Sequence, residues 1–526
     1  MTGLHVWKNG RLLLGGSGVA TALVVRDGVI VYVGGDDGAC AWEGAGARVV
    51  DLGRRLVTPG FVDAHAHLVQ TGQVMAGLDL ARARSRVEVL DRVAEYARQH
   101  PEAGVIFGQG WDEGQWVEQR RPERAELDRA GGGVAVYLAR VDVHSAVVST
   151  SLLEQLPGIE QQAGFTEAGW VSQEAHHRCR TQVASLFTDE ERRSAARAAL
   201  GVAASSGLTS VHELGGPHLG PAEDLVRVRE VAGEIGLDVV TYWGELVGES
   251  AIATARRVGA AGLAGDLCVD GAIGSRTAAL AEPYADAPTR GVRYLSTEQI
   301  TEHLVGCTRA GLQAGFHCIG DDAVTAALAG LRRATEVVGP SALRRLRHRL
   351  EHLEMVDEAD ISTLAELGVV ASVQPAFDAA WGPPGELYEA RLGRRRSSAM
   401  NRFATLHRGA VALAFGSDSP VTPLTGWGMV RAAVQHTQPN ERLAAADAFA
   451  AATRGGHHAA RVDDSGQLSV GWRADVAVWD EPAGAVGRSI SHPVAALPEL
   501  TRDVELPSCV LAMSRGRVTH DHGVLP

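Results

Sequence analysis

Eight times along this chain a short apolar, strand-like run appears, most often behind a glycine that closes a helical stretch. The runs are RLVTPGFVDAHAH, GLTSVHEL, GLDVVTYWG, GDLCVDG, GLQAGFHCIG, RHRLEHLEMV, GVVASVQP and GAVALAFGSD. Strand, loop and helix in repetition build an α/β fold, a parallel sheet covered by helices. A doubly wound open sheet shows the same alternation; the count of eight selects a (β/α)8 TIM barrel. Helix starts carry their own signals. Thr188-x-x-Glu191 and Ser296-x-x-Gln299 both have the spacing of a capping box.

The two ends of the chain read differently. Asn9-Gly10 and Asp27-Gly28 are hairpin signals beside β-rich runs such as ALVV and VIVYVG, and GQLSVGWRADVAVWD and CVLAMSRGRVTH continue the pattern at the other end. Residues 12–25 follow Lys8 and Arg11 as a signal-peptide core would, but glycines and a serine interrupt them, so strands are expected there. Residues 1–57 and 467–526 are expected to form one small composite β-sandwich, with 58–466 as the barrel. The gap between the first and second barrel runs is too long for one loop and helix. GVIFGQGWDE and VAVYLARVDVHSAVV inside it read as strands. About 75–190 is therefore expected to be a subdomain inserted after barrel strand one, placed as a lid, because a barrel's active site lies at the C-terminal ends of its strands.

Composition narrows the function. With 526 residues, 45% apolar and 21% charged, the chain is globular, neither disordered nor a disulfide scaffold. A net charge of −13 argues against a nucleic-acid partner. No apolar run reaches the roughly 18–20 residues of a membrane span. Six scattered cysteines without a C-x-x-C pair fit a reducing, cytoplasmic compartment. Of the 50 basic residues only Lys8 is a lysine.

Metal-competent side chains recur where the barrel runs end. His65-Ala66-His67 closes the first, and residues i and i+2 of an extended segment point the same way, so both imidazoles face one ion. His317 closes the fifth run, His352 the sixth and Asp418 the eighth. A lone histidine at a strand end is ordinarily a packed or surface residue. Four strand ends bearing such groups together point to a metal site. Several imidazoles with one carboxylate suit Zn2+ or a similar divalent ion. An open coordination position lets that ion lower the pKa of a bound water to about 7, and Asp418 is suited both to ligate and to accept the water's proton. The expected chemistry is hydrolysis.

TPGFVDAHAHL after the β-rich start, with Gly471-x-x-Ala474-Asp475 near the other end, resembles the amidohydrolase superfamily. DGAIGSRTAAL, FHCIGD, RHRLEH, SVQPAF and FGSDSPVTP, with GQGWDEGQW and RVDVHS in the insertion, resemble one branch, the N-substituted formamide deformylase-like enzymes. The resemblance implies a metal-bearing barrel with a β-sandwich from both termini. It implies that His65 and His67 ligate the buried metal and that Asp418 completes the site and shuttles the proton. His317 and His352 would be ligands from strands five and six, His352 instead polarising the substrate carbonyl or holding the water in mononuclear members. The chain departs from the branch at strand four, where the branch's metal-bridging carboxylated lysine falls on Asp266. With Lys8 the sole lysine, no carbamylated lysine forms at the site. An aspartate is expected to be too short to bridge two ions, so one tight metal is expected, with Asp266, Glu213 and Asp270 as the candidates if a bridging carboxylate exists.

Other residues carry weaker signals. Arg276 is a candidate anchor for a substrate carboxylate or carbonyl. Trp111, Asp112 and His144 in the insertion, and Gln374, Trp381 and Tyr388 after strand seven, are candidate pocket residues. The run Arg344, Arg345, Arg347 and Arg349 reads as a solvated helix end, and alternation turns Cys318 away from the metal. The expected function is metal-dependent hydrolysis of a non-peptide C–N bond in a small molecule, an amide or N-substituted formamide. The alternatives are a cyclic amidase or deaminase acting on a ring, and a non-catalytic metal-binding regulator. Homo-oligomerisation is left open.

Overall fold

The computed structural model describes residues 3–14, 19–44, 46–482, 497–523 and 525. Eight parallel strands lie side by side in chain order: β1 Phe61–Ala66, β2 Leu208–Gly215, β3 Asp238–Trp243, β4 Gly262–Leu263, β5 Gln313–Cys318, β6 Arg349–His352, β7 Val370–Val373 and β8 Ala412–Phe415. Ala66 bridges Ser419 in parallel just past β8, so the sheet is nearly closed into a barrel. Every residue of β1, β2, β5, β6 and β7 is buried, as expected for strands covered by helices outside and packed side chains inside. Alternation along β5 sends Phe316 and Cys318 into the large apolar core and turns His317 to the other face. Both predicted capping boxes form: Thr188 and Ser296 each accept from the backbone N–H three residues on, and Glu191 and Gln299 reach back.

Two further sheets lie at the ends of the chain, one built from N-terminal strands alone and the other shared by both ends. One orders Val29–Gly34, Ala22–Arg26, Leu4–Lys8 and Ala47–Asp51. The other orders Arg11–Leu12, Leu56–Pro59, Val476–Asp480, Ser508–Ser514 and Arg517–Asp521. Trp7, Leu23 and Val25 pack with Val476, Leu511 and Met513 in one apolar cluster. Residues 15–18 of the 12–25 run lie outside the described residues, and the strands Arg11–Leu12 and Ala22–Arg26 flank them. Lys8 sits here, paired with Glu43 at 2.5 Å. Among the described residues no helix is long and apolar enough to cross a membrane.

After β1 the helix Leu68–Ala76 leads into a five-stranded sheet ordered Trp170–Ser172, Ser145–Val148, Ala135–Arg140, Val105–Trp111 and Leu78–Asp79. The helix Asp189–Ser205 then returns the chain to β2. The two flanking helices approach so closely at Gly72 that a Cβ there would lie 2.0 Å from the Ala195 carbonyl oxygen. The inserted sheet docks on the barrel mouth through Asp142, which accepts from Ser275 Oγ at 2.7 Å. Buried Arg140 fixes this edge by pairing with Asp112, Glu113 and Asp142 at 2.6–3.0 Å.

Candidate metal centre

The ends of β1, β5 and β6, with the turns after β4 and β8, converge at the C-terminal mouth. His65 Nε2 lies 3.3 Å and His67 Nε2 3.1 Å from Asp418 Oδ1. Each ring's other nitrogen is committed elsewhere. His65 Nδ1 faces Glu351 at 3.0 Å, and His67 Nδ1 faces the Leu214 carbonyl at 2.7 Å. A carbonyl only accepts, so His67 donates from Nδ1 and keeps the Nε2 lone pair for the centre. His317 is set the other way round: Nε2 faces the Gly271 carbonyl at 3.3 Å and Nδ1 lies 3.9 Å from Asp266 Oδ1. The His352 ring centre is 5.0 Å from that of His65 and 4.3 Å from that of His317. His352 and Leu353 both have left-handed backbone, φ 69° and 48°, a conformation that non-glycine residues hold only under tertiary constraint.

Asp266 departs from expectation. Its carboxylate reaches the centre, 3.3 Å from His67 Nε2 and 3.6 Å from His65 Nε2. The reason is the shortness of β4, which stops at Leu263. The chain then turns inward through Gly265, φ 95°, and runs beside β5, with Val269 N–H bonding the His317 carbonyl and His317 N–H bonding the Leu267 carbonyl. The backbone supplies the reach that the side chain lacks. Burial pushes both Asp266 and Asp418 up, but the imidazoles beside them outweigh it and hold both well below the ordinary carboxylate range.

The donor set fits a cation. Among the described residues, His65 Nε2, Asp266 Oδ1 and both His352 nitrogens are buried without a hydrogen-bond partner. Leaving such groups unmet costs about 1–3 kcal/mol each. Ligand atoms of His65, His67 and Asp418, and of His65, Asp266 and His352, lie within 4.8 Å of one another. Two ionised carboxylates with imidazole nitrogens suit a divalent ion of the zinc type.

Several supporting groups carried no legible signal in the sequence. Glu351, which orients His65, is gripped by Arg349. Arg349 was expected at a solvated helix end; it is instead fully buried, because it opens β6 and points into the barrel. There it donates to the Ala64 carbonyl at 2.5 Å and to Ser372 Oγ at 3.0 Å, and lies over the Tyr242 ring at 4.8 Å. Asp63 accepts from the N–H groups of His65 and Ser417 at 3.1 and 3.0 Å, tying β1 to the turn that carries Asp418. At Gly416 a Cβ would meet His65 N and Cβ at 2.6 Å. Gly416→Ala is therefore expected to displace the HxH pair and lower bound metal at least tenfold, read by elemental analysis of the purified protein.

The two other bridging candidates are engaged structurally. Glu213 accepts from Leu68 N–H at 2.6 Å, at the start of helix Leu68–Ala76. Asp270 accepts from the N–H groups of Ala279, Ile319 and Gly320 at 2.8–2.9 Å and pins two loops. Among the described residues neither belongs to a ligand cluster.

A narrow cavity opens beside His317, His352 and Asp418, walled by Phe377, Trp381 and Tyr388. His144 lines it, its ring centre 5.0 Å from that of His317. The remaining pocket candidates do not line it. Trp111 is fully buried in the insertion with Trp116 and Leu138, where β alternation points it inward, and its Nε1–H bonds the Leu138 carbonyl. Trp111→Ala is expected to cost about 3–5 kcal/mol, seen as earlier proteolysis of the insertion. Asp112 is held by Arg140. Arg276 forks onto Asp286 at 2.6 and 3.0 Å in a separate surface cleft. Gln374 is buried at the start of helix Pro375–Trp381, outside the cavity lining.

An eight-stranded parallel barrel with a divalent-metal donor set at its C-terminal mouth defines a metal-dependent hydrolase. The chain belongs to the amidohydrolase family, whose sequence model matches residues 48–520. It is 26% identical over 450 residues to the putative amidohydrolase YtcJ of Bacillus subtilis, covering 80% of this chain and 81% of the relative. It is 26% identical over 513 residues to an imidazolonepropionase of Methylobacterium, covering 94% and 98%. A solved metal-dependent hydrolase from Pyrococcus furiosus superposes with a TM-score of 0.70 at 27% identity, covering 90% of this chain and 98% of that one. The expected formamide deformylase branch is matched only in part: the Arthrobacter pascens enzyme is 27% identical over 137 residues, 26% of this chain and 25% of the relative.

Proposed function

We propose that this chain hydrolyses a non-peptide C–N bond of a small amide or N-substituted formamide, using one zinc-type divalent ion. The observation that carries this reading is the grouping of the unpaired donors of His65, Asp266 and His352 at the barrel mouth, where His65 also groups with His67 and Asp418. When bound there, such an ion supplies an activated water near neutral pH and polarises a carbonyl oxygen. The protein's own residues do the rest. Asp418 takes the proton from the attacking water and returns it to the leaving nitrogen. Burial and the neighbouring His317 push His352 down to about 3. His352 therefore stays neutral, and its one N–H is free to bond the substrate carbonyl in the cavity it lines. Glu351 and Leu214 fix the rings of His65 and His67.

His65 argues for one ion. It belongs to both ligand clusters, but its Nδ1 faces Glu351, so a single Nε2 lone pair serves both. The clusters then describe one coordination sphere drawn from His65, His67, Asp266, His352 and Asp418, while the expected ligand His317 stands beside it with Nδ1 3.9 Å from Asp266 Oδ1. About one ion per chain is expected after dialysis, with activity independent of bicarbonate. Two tightly held ions would contradict this.

Similarity to an imidazolonepropionase over nearly the whole chain favours a second reading, opening of a cyclic amide. A substrate library on the metal-loaded protein decides, with amine, ammonia and ring-opened acid measured separately. Amine plus acid supports the first reading. Ring-opened acid or ammonia supports the second. No turnover with metal bound leaves a metal-binding regulator. The six cysteines are unpaired, consistent with a reducing, cytoplasmic compartment.

A further inference from the structure

The cavity beside His352 and Asp418 has an unusual polar inventory. No arginine or lysine lines it among the described residues. Arg276, the sequence's candidate for holding a substrate carboxylate, is committed to Asp286 elsewhere. Two carboxylates besides Asp418 do line it, Asp142 and Glu354. Asp142 is fully used by Arg140, by Ser275 and by His144 N–H. Glu354 is not: it is 3% exposed, and its Oε2 has no hydrogen-bond partner among the described residues.

Glu354 faces an aromatic wall. The ring centres of Phe377 and Trp381 are 4.8 Å apart, those of Trp381 and Tyr388 6.2 Å, and Tyr388 stands next to the Glu354 carboxyl. Aromatic faces beside one buried carboxyl, pushed up to about 7 by burial and with no cation beside it, form a setting that attracts an ammonium group, whose charge in turn favours the ionised carboxylate. The cavity is narrow and walled by side chains of the barrel mouth, which suits a small molecule rather than a polymer.

We propose that the substrate carries a protonated amine on an apolar body, and that Glu354, flanked by Phe377, Trp381 and Tyr388, receives that ammonium group. This rests on the reading of the cavity as the substrate site of a hydrolase. The ammonium bonds the unpartnered Oε2 of Glu354, beside the Tyr388 hydroxyl, and the rings cover its apolar stem. A substrate carboxylate at the same place would face Glu354 with no cation to hold it, so anionic substrates are rejected.

The test uses the metal-loaded full chain and three amides of one aryl-alkyl skeleton, ending in an ammonium, a methyl or a carboxylate group. The ammonium amide is expected to exceed the methyl amide about 10- to 100-fold in kcat/KM, mainly through KM, as one hydrogen bond to a charged group provides. The carboxylate amide should be the poorest. Glu354→Gln should bring the ammonium-to-methyl ratio near one, and Glu354→Asp should keep part of it. Should Glu354→Gln fail to fold, Trp381→Leu reads the same ratio, expected to fall about 3- to 30-fold through the lost ring face. A preference for the carboxylate amide, or a ratio unchanged in the variants, overturns the proposal. If none of the amides turns over, calorimetric binding of the same compounds separates the two readings. Ammonium-selective binding that Glu354→Gln removes sustains the proposal while the hydrolytic reading fails. Unselective or absent binding overturns it.

Discussion

Asp418→Asn is expected to keep the fold and lose turnover by roughly 10²- to 10⁴-fold, the range for removal of a positioned proton acceptor. The carboxamide is nearly isosteric, so Asp418 N–H can still bond the His65 carbonyl at 2.7 Å and the turn keeps its shape. What is lost is a basic oxygen 3.1 Å from His67 Nε2 and 3.3 Å from His65 Nε2. Metal affinity should fall, because one anionic donor is gone, so the rate must be measured at saturating metal. Near-normal kcat in fully metallated Asp418→Asn would remove Asp418 from the proton path. His65→Ala differs in kind: it deletes the nitrogen common to both ligand clusters and should lose metal and activity together.

Arg349→Met should destabilise the barrel by about 3–5 kcal/mol, the cost of stranding one member of a buried ion pair. Glu351 would be left charged and fully buried against His65. The same guanidinium ties β1 through Ala64, β2 through His212, β3 through Tyr242 and β7 through Ser372. Denaturant unfolding should show a lower midpoint, and the folded fraction should bind metal more weakly because Glu351, which orients His65, is no longer held in place. Burial alone would raise the Glu351 carboxyl, but Arg349 and His65 hold it at about 2, below its ordinary 4.5. A depressed carboxyl stabilises the fold fully above pH 4.5, and that contribution is lost as the pH falls toward 2. A wild-type acid midpoint that Arg349→Met does not alter would refute the pair's role.

Much of the architecture was legible in the chain. Glycine-then-apolar runs placed eight strands because a strand covered on both faces is mostly apolar, as in β7 and β8. The HxH pair, His317, His352 and Asp418 stood out because they interrupt apolar strand ends, where a polar residue is costly unless it is used. The capping boxes were readable because their bonds close within four residues.

Tertiary structure decided what depends on distance in sequence. Arg349 looked like one more arginine of a charged run; only the start of β6 turns it inward onto Glu351 and His65. Trp111 and Asp112 belong to motifs beside the active site, yet the packing of the inserted sheet and Arg140 claim them for structure. Asp266 was judged by side-chain length, while its reach is set by where β4 stops and how the backbone turns at Gly265. Apolar periodicity and donor chemistry are local properties, so the barrel and the candidate ligands could be read from the chain alone. The spatial grouping of the candidate ligands, its buried support and the unmatched carboxyl of Glu354 came only from the folded chain, because each depends on atoms brought together from strands tens to hundreds of residues apart.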